Sequence, residues 1–107
     1  MSLDPQPPLL IDREGAVATL QFNRPAALNA IDVPMAQAFL AAVKSIAADD
    51  TVRAVLLRGS GKGFMAGGDL AVLQADPIQG AADLIGPLHE AVALLATLNA
   101  PVVAQVH

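Results

Sequence analysis

The sequence predicts an α/β fold in which helices pack against a sheet that contains buried strands. In two segments, 33–48 and 84–95, apolar residues recur every three or four positions, which is typical of amphipathic helices. Two short runs are rich in apolar residues, as strands covered on both faces are: residues 54–57 and the run that begins at 102. Strands and helices therefore alternate along the chain, a pattern that favours layers of helix and sheet.

The first half of the predicted domain contains two strands and one helix. In residues 9–22 a turn at Glu14-Gly15 separates two strands, and alternation of apolar residues marks the second. The stretch "NRPAALNA" carries a proline and two asparagines, and it is predicted to be a loop. The helix at 33–48 follows Asp32, whose carboxylate can accept a hydrogen bond from a first-turn N–H.

The second half begins with the strand at 54–57 and continues with two helices and a strand. Residues 69–74 are predicted to form a short helix capped by Asp69, and residues 75–80 a loop, because they contain a proline and a glycine. At Gly86-Pro87 the second long helix is predicted either to kink or to begin. The chain then enters the strand that starts at Val102.

Length and composition restrict the class of protein. The chain has 107 residues, enough for one domain, and we divide it into a flexible lead-in at 1–8, which contains three prolines, and a domain at 9–107. Its 54% of hydrophobic residues is high for a small independent domain, which suggests that it is part of a larger protein.

Charge and cysteine content exclude several functions. Ten acidic against six basic residues give a net charge of −4 without a basic cluster, so nucleic acid is not expected as a partner. The apolar runs are too short to span a bilayer, so no membrane insertion is expected either. Without cysteine there is neither a disulfide nor a thiolate metal site. No secretory signal is visible, and the expected location is the cytoplasm.

The most unusual segment is the glycine-rich loop at 59–68, which holds five of the eight glycines. A phosphate-binding loop needs a serine or threonine after Gly-Lys, but Gly63 follows Gly61-Lys62, so that possibility fails. A dinucleotide fingerprint needs glycine near the position of Phe64, and the next strand lacks the acidic residue that would bind ribose. A small nucleotide-binding domain is accordingly a weak alternative.

A third possibility uses the backbone of this loop. Gly67-Gly68 precede a helix that begins at Asp69, so unpaired N–H groups are expected there. Such donors stabilise a developing oxyanion without any catalytic side chain. Asp69 itself is better explained as a helix cap than as an acid catalyst.

Three motifs, "NRPAALNAID", "VRAVLLRGSGKGFMAGGDL" and "LNAPVVAQVH", resemble in order and spacing three signatures of the crotonase superfamily, the enoyl-CoA hydratase/isomerase proteins. The resemblance begins near Leu9 and covers nearly the whole chain. It implies a crotonase-like ββα spiral. Because family members are more than twice this length, it also implies that the chain corresponds to their N-terminal portion, an incomplete spiral.

The resemblance also implies roles for particular residues. The family's first oxyanion-hole donor matches the backbone N–H of Gly68. The segment around Ala66, Asp69 and Leu70 resembles the lining of the coenzyme A pocket. Ala27 and Leu28 match positions that lie against bent coenzyme A. Arg24 is a further candidate, for contact with the phosphates.

The activity implied by the resemblance is enoyl-CoA hydration: addition of water to a 2-enoyl-CoA thioester through a stabilised enolate. The family's second donor and its catalytic glutamates would follow His107, so the 107 residues alone are expected to be inactive. Coenzyme A is part of the substrate, and neither a separate cofactor nor a metal is implied. The full-length assembly is expected to be a homotrimer or a dimer of trimers. The alternatives are another superfamily acyl-CoA isomerase or hydrolase, and a non-catalytic interaction fragment.

Overall fold

A computed structural model describes residues 7–107. The predicted flexible lead-in falls mostly on residues 1–6, which lie outside the described residues. The elements follow the predicted order, with one added 3₁₀ helix: β1 (Leu9–Glu14), β2 (Val17–Phe22), the 3₁₀ helix (Pro25–Ala27), α1 (Val33–Ala47), β3 (Ala54–Gly59), α2 (Leu70–Ala75), α3 (Pro77–Ala96) and β4 (Val102–Ala104).

The four strands form one sheet in the order β1-β2-β3-β4. Strands β1 and β2 are antiparallel and meet at a tight turn in which Gly15 has a φ of +59°, a value that favours glycine. The pairs β2–β3 and β3–β4 are parallel. Parallel neighbours need a crossover connection, which α1 supplies between β2 and β3, and α2 with α3 between β3 and β4.

The core lies between the sheet and the helices. Alternate residues of β2, namely Ala18, Leu20 and Phe22, are almost completely buried, which confirms the predicted alternation. The ring of Phe39 on α1 lies 5.3 Å from that of Phe22, centroid to centroid. As predicted, Asp32 caps α1, accepting a hydrogen bond from a first-turn N–H at 3.0 Å.

The prediction of a loop at 75–80 is wrong, because α3 begins at Pro77. The Asp76 side chain accepts from the N–H of Gln79 at 3.2 Å, and proline is tolerated in a first helical turn because its missing N–H has no partner there. Gly80 permits close packing on α2: an added Cβ would lie 2.5 Å from the Val72 carbonyl oxygen. The helix then continues through Pro87 without ending.

Burial differs from the sequence pattern at several predicted core positions. In β3 only Val55 is fully buried, although the run predicted cover on both faces. Ala47, at the end of α1, is exposed. On α3, Leu84 is buried, but Ile85 and Val92 are 57% and 53% exposed, because the helix turns only one side of its apolar stripe toward the core.

The described part of the chain contains no helix that is both long and apolar enough to cross a bilayer.

Candidate active site

A buried asparagine holds the glycine-rich loop against the segment that precedes α1. Asn29 is fully buried, and its Oδ1 accepts from the N–H of Arg24 at 2.7 Å. Its Nδ2 donates to the carbonyl oxygens of Ser60 and Gly63, both at 2.8 Å. Its φ is +58°, a region in which asparagine is enriched among non-glycine residues. The loop is therefore fixed by side-chain hydrogen bonds as well as by its backbone.

The same two segments also run alongside each other as a short parallel pair. The N–H of Ile31 donates to the Gly67 carbonyl at 2.7 Å, and the N–H of Asp69 donates to the Ile31 carbonyl at 2.8 Å. Farther back, the N–H of Ala66 donates to the Leu28 carbonyl at 3.0 Å. The two segments predicted to bind coenzyme A, around 27–28 and around 66–70, are thus brought together.

The amide of Gly68 is the candidate oxyanion donor. The N–H groups of Ala66 and Asp69, on either side of the glycine pair, donate hydrogen bonds as described above. Within residues 7–107 the N–H groups of Gly67 and Gly68 have no acceptor. Gly67 has a φ of +109°, a conformation that side-chain-bearing residues rarely adopt. Gly68 is exposed. The unpaired N–H groups of Gly67 and Gly68 both lie between the bonded amides of Ala66 and Asp69, so this segment offers backbone donors of the kind that stabilise an oxyanion.

Asp69 acts as a cap and as a partner in an ion pair. Its Oδ1 accepts from the N–H of Ala71 at 2.9 Å, and Arg24 Nη1 lies 3.1 Å from its Oδ2. The hydrogen bond from the Ala71 N–H, and then that from Arg24, hold the pKa of Asp69 below its ordinary value. The carboxylate is consequently ionised at neutral pH, which fits the predicted cap and not an acid catalyst.

The guanidinium of Arg24 lies between two carboxylates. Besides Asp69, its Nε lies 3.4 Å from Asp32 Oδ2, and Nη1 also donates to the Ala30 carbonyl. A phosphate at this position would compete with both carboxylates. The suggested contact between Arg24 and the coenzyme A phosphates stays a prediction.

An apolar groove of about 370 Å³ opens on one side of α3. A Cβ built on Gly68 would lie 3.8 Å from Leu84 Cδ1, and Leu88, one helical turn farther along α3, lines the groove. The other lining residues come from the sheet, α1, α3 and the glycine-rich loop; they include Leu57, Phe64, Met65, Val92 and Leu95. Within residues 7–107, no three His, Asp or Glu side chains are close enough to hold a metal ion.

Solved structures show which fold class this arrangement represents. An enoyl-CoA hydratase from Mycobacterium smegmatis superposes with a TM-score of 0.88 at 40% identity, over 95% of this chain and 40% of that one. An enoyl-CoA hydratase/isomerase from Mycobacterium paratuberculosis gives a TM-score of 0.81 at 28% identity, over 96% of this chain and 42% of that one. The fold is crotonase-like, which confirms the predicted class.

The model of the enoyl-CoA hydratase/isomerase family matches residues 17–107, and the chain belongs to this family. A probable enoyl-CoA hydratase of Rhizobium meliloti is 40% identical over 73% of this chain and 31% of its own length. The 1,2-epoxyphenylacetyl-CoA isomerase of Escherichia coli is 42% identical over 66% of this chain and 27% of its own length. A probable 3-hydroxyisobutyryl-CoA hydrolase of Arabidopsis thaliana is 36% identical over 67% of this chain and 19% of its own length. The chain thus spans less than a third of each of these relatives.

Sequence reasoning did not single out Asn29, although this residue connects the loop to the rest of the site. The available signal was an asparagine in a short proline-containing loop, since asparagine tolerates a positive φ. That signal does not reveal burial. Only the fold shows that the side chain reaches the carbonyls of Ser60 and Gly63.

Proposed function

We propose that this chain belongs to an enzyme that acts on acyl-CoA thioesters, and that the N–H of Gly68 donates a hydrogen bond to the thioester oxygen as it becomes an enolate. The observation that carries the proposal is that Gly68 is an exposed residue whose N–H has no acceptor within residues 7–107. The N–H of Gly67 is unpaired there as well, and it is the motif resemblance that favours Gly68. Relatives named for acyl-CoA reactions support the proposal.

The reaction that we propose is the hydration of a 2-enoyl-CoA. The oxygen of water forms a bond to C3, the C2–C3 π electrons move toward the thioester carbonyl, and its oxygen gains the negative charge. The water loses one proton to a carboxylate as its oxygen bonds to C3, a carboxylic acid then delivers one proton to C2, and the carbonyl re-forms. A fixed N–H directed at this oxygen contributes about 2.7 to 4 kcal/mol to transition-state stabilisation. We expect a second donor and the proton-transferring carboxylates outside these 107 residues; the latter typically contribute a further 10²–10⁴-fold.

The surfaces near Gly68 suit such a substrate. Leu28 and Leu70 are 50% and 68% exposed, and they belong to the two segments that the parallel pair brings together. They offer apolar contact to the coenzyme A portion of a thioester. The groove beside Leu88 is lined by apolar side chains and suits an acyl chain. We further propose a cytoplasmic enzyme, a homotrimer or a dimer of trimers, that needs no cofactor besides the coenzyme A of its substrate.

A second candidate is isomerisation or thioester hydrolysis. Relatives of this chain carry names of both kinds, an acyl-CoA isomerase and a hydroxyacyl-CoA hydrolase. Both reactions place negative charge on the same carbonyl oxygen, so the Gly68 amide serves them equally. Product analysis separates the three possibilities: a 3-hydroxyacyl-CoA indicates hydration, a shifted double bond indicates isomerisation, and free coenzyme A indicates hydrolysis.

The test compares Gly68→Pro with Gly68→Ala in the intact protein that contains this chain. Proline removes the N–H but neither hydrogen bond of the Ile31 pairing, since those bonds use the Gly67 carbonyl and the Asp69 N–H. Alanine retains the N–H, and its Cβ would meet the nearest side-chain atoms at 3.8 Å, an ordinary contact. We expect Gly68→Pro to lower kcat/KM on a 2-enoyl-CoA by about 10²–10³ and Gly68→Ala to retain most activity. Turnover of the proline variant within about tenfold of wild type would contradict the proposal.

A further inference from the structure

The two segments that frame Gly68 share one charged side chain. Arg24 Nη1 lies 3.1 Å from Asp69 Oδ2, and its Nε lies 3.4 Å from Asp32 Oδ2. The three side chains are only 20–25% exposed, so solvent screens these ion pairs incompletely. One guanidinium thus connects the residue that caps α1 with the residue that caps α2.

These contacts lie on either side of the pairing that positions Gly68. Ile31 exchanges two backbone hydrogen bonds with this segment, at Gly67 and at Asp69. Arg24 contacts both neighbours of Ile31, through the Ala30 carbonyl and the Asp32 carboxylate, and it pairs with Asp69, the residue after Gly68. The guanidinium therefore constrains both halves of the parallel pair.

The segment needs such a constraint because it contains two adjacent glycines. Gly67 lies in a left-handed region of backbone space at φ +109°, and a Cβ added there would meet nothing within 4 Å outside its chain neighbours, so only backbone contacts hold it. Glycine backbones populate several regions at little cost. The peptide plane that carries the Gly68 N–H also carries the Gly67 carbonyl, which accepts from the Ile31 N–H at 2.7 Å. The position of Ile31 therefore determines the direction of the Gly68 N–H.

We propose that Arg24 is a positioning residue that fixes the direction of the Gly68 amide by pairing with Asp32 and Asp69 at the same time. The proposal rests on the proposed function, since the direction of this amide matters only if the amide donates to the substrate. Lysine is a poor substitute, because a single ammonium cannot reproduce the planar set of donors with which arginine meets two carboxylates and a carbonyl.

The experiment measures ¹⁵N relaxation of the Gly67 and Gly68 amides without ligand, and turnover of a 2-enoyl-CoA, in the intact protein. The variants are Arg24→Gln and Arg24→Lys. Arg13→Gln is the matched control, since Arg13 on β1 also pairs with a distant carboxylate, that of Asp49 at 2.9 Å, but both side chains are more exposed and neither belongs to the segments that frame Gly68.

We expect both Arg24 variants to lower the order parameters of Gly67 and Gly68 from about 0.85, the value of rigid backbone, toward about 0.6. We expect kcat to fall by about tenfold to a hundredfold, while KM changes little, because misdirection of the donor weakens transition-state binding. Arg13→Gln should change neither quantity.

Unchanged order parameters at Gly67 and Gly68 in Arg24→Gln would overturn the proposal, whatever the activity. If Arg24→Gln does not fold, Arg24→Lys and Asp69→Asn decide in its place. Asn at 69 retains an oxygen to accept from the Ala71 N–H but loses the charge that attracts Arg24, so it should loosen the same two glycines. Absence of turnover in the wild-type protein would instead count against the proposed function. The order parameters of Gly67 and Gly68 would then still decide whether Arg24 holds this segment.

Discussion

Replacement of Asn29 should destabilise the protein more than any exposed polar substitution. Asn29→Ala removes three hydrogen bonds of 2.7–2.8 Å and leaves the Arg24 N–H and the Ser60 and Gly63 carbonyls without this partner. Each hydrogen bond makes a net contribution of about 0.5–1.5 kcal/mol to the stability of the fold, and each buried polar group left unpaired costs about 1–3 kcal/mol. The left-handed backbone at φ +58° adds about 1 kcal/mol for alanine.

Because Arg24, Ser60 and Gly63 are only partly buried, water can replace some of the lost partners. We therefore expect a total loss of about 3–5 kcal/mol, a large fraction of the roughly 5–15 kcal/mol that stabilises a typical domain. The assay is equilibrium urea denaturation, from which the free energy of unfolding and the m-value are obtained. An unchanged m-value would show that the difference reflects stability and not a changed denatured state.

Two control variants isolate the causes. Asn29→Gly relieves the left-handed strain but also lacks the hydrogen bonds, so it should be more stable than Asn29→Ala by up to about 1 kcal/mol. Asn99→Ala changes an exposed asparagine and should stay within about 0.5 kcal/mol of wild type. If Asn29→Ala loses less than about 1 kcal/mol, the reasoning about the buried amide is refuted.

Two glycines of α3 should respond differently to alanine. Gly80→Ala places a Cβ 2.5 Å from a backbone carbonyl oxygen of α2 and should cost about 1–3 kcal/mol of stability. Gly86→Ala meets nothing within 4 Å outside its chain neighbours, and its gain in helix propensity is opposed by contact of the new Cβ with the ring of Pro87, so stability should change by less than about 1 kcal/mol. Thermal unfolding of both variants checks this, and equal effects would contradict it. The lowered pKa of Asp69, due to the Ala71 N–H and to Arg24, predicts a contribution to stability that is present above the ordinary pKa of 3.8 and is lost as pH falls below it. Asp69→Asn should therefore show a smaller fall in urea midpoint on acidification than wild type, and an equal fall would refute this assignment.

The sequence alone determined the elements whose formation is local. The alternation in β2, the apolar periodicity of α1 and the caps at Asp32 and Asp69 depend on neighbouring residues, and the structure has all of them. The motif resemblance predicted the family and the fold class, and the family model and the superpositions confirm both. It also predicted Gly68 as a donor, which stays a prediction.

The tertiary structure decided what depends on distant contacts. Pro77 and Gly80 predicted a loop because both residues disrupt isolated helices, but Pro77 occupies a helix start and Gly80 allows α3 to approach α2. The same holds for Asn29 and Arg24, whose partners lie up to 45 residues away along the chain. A local pattern records which conformations a residue tolerates, whereas only the folded chain determines which distant groups it meets.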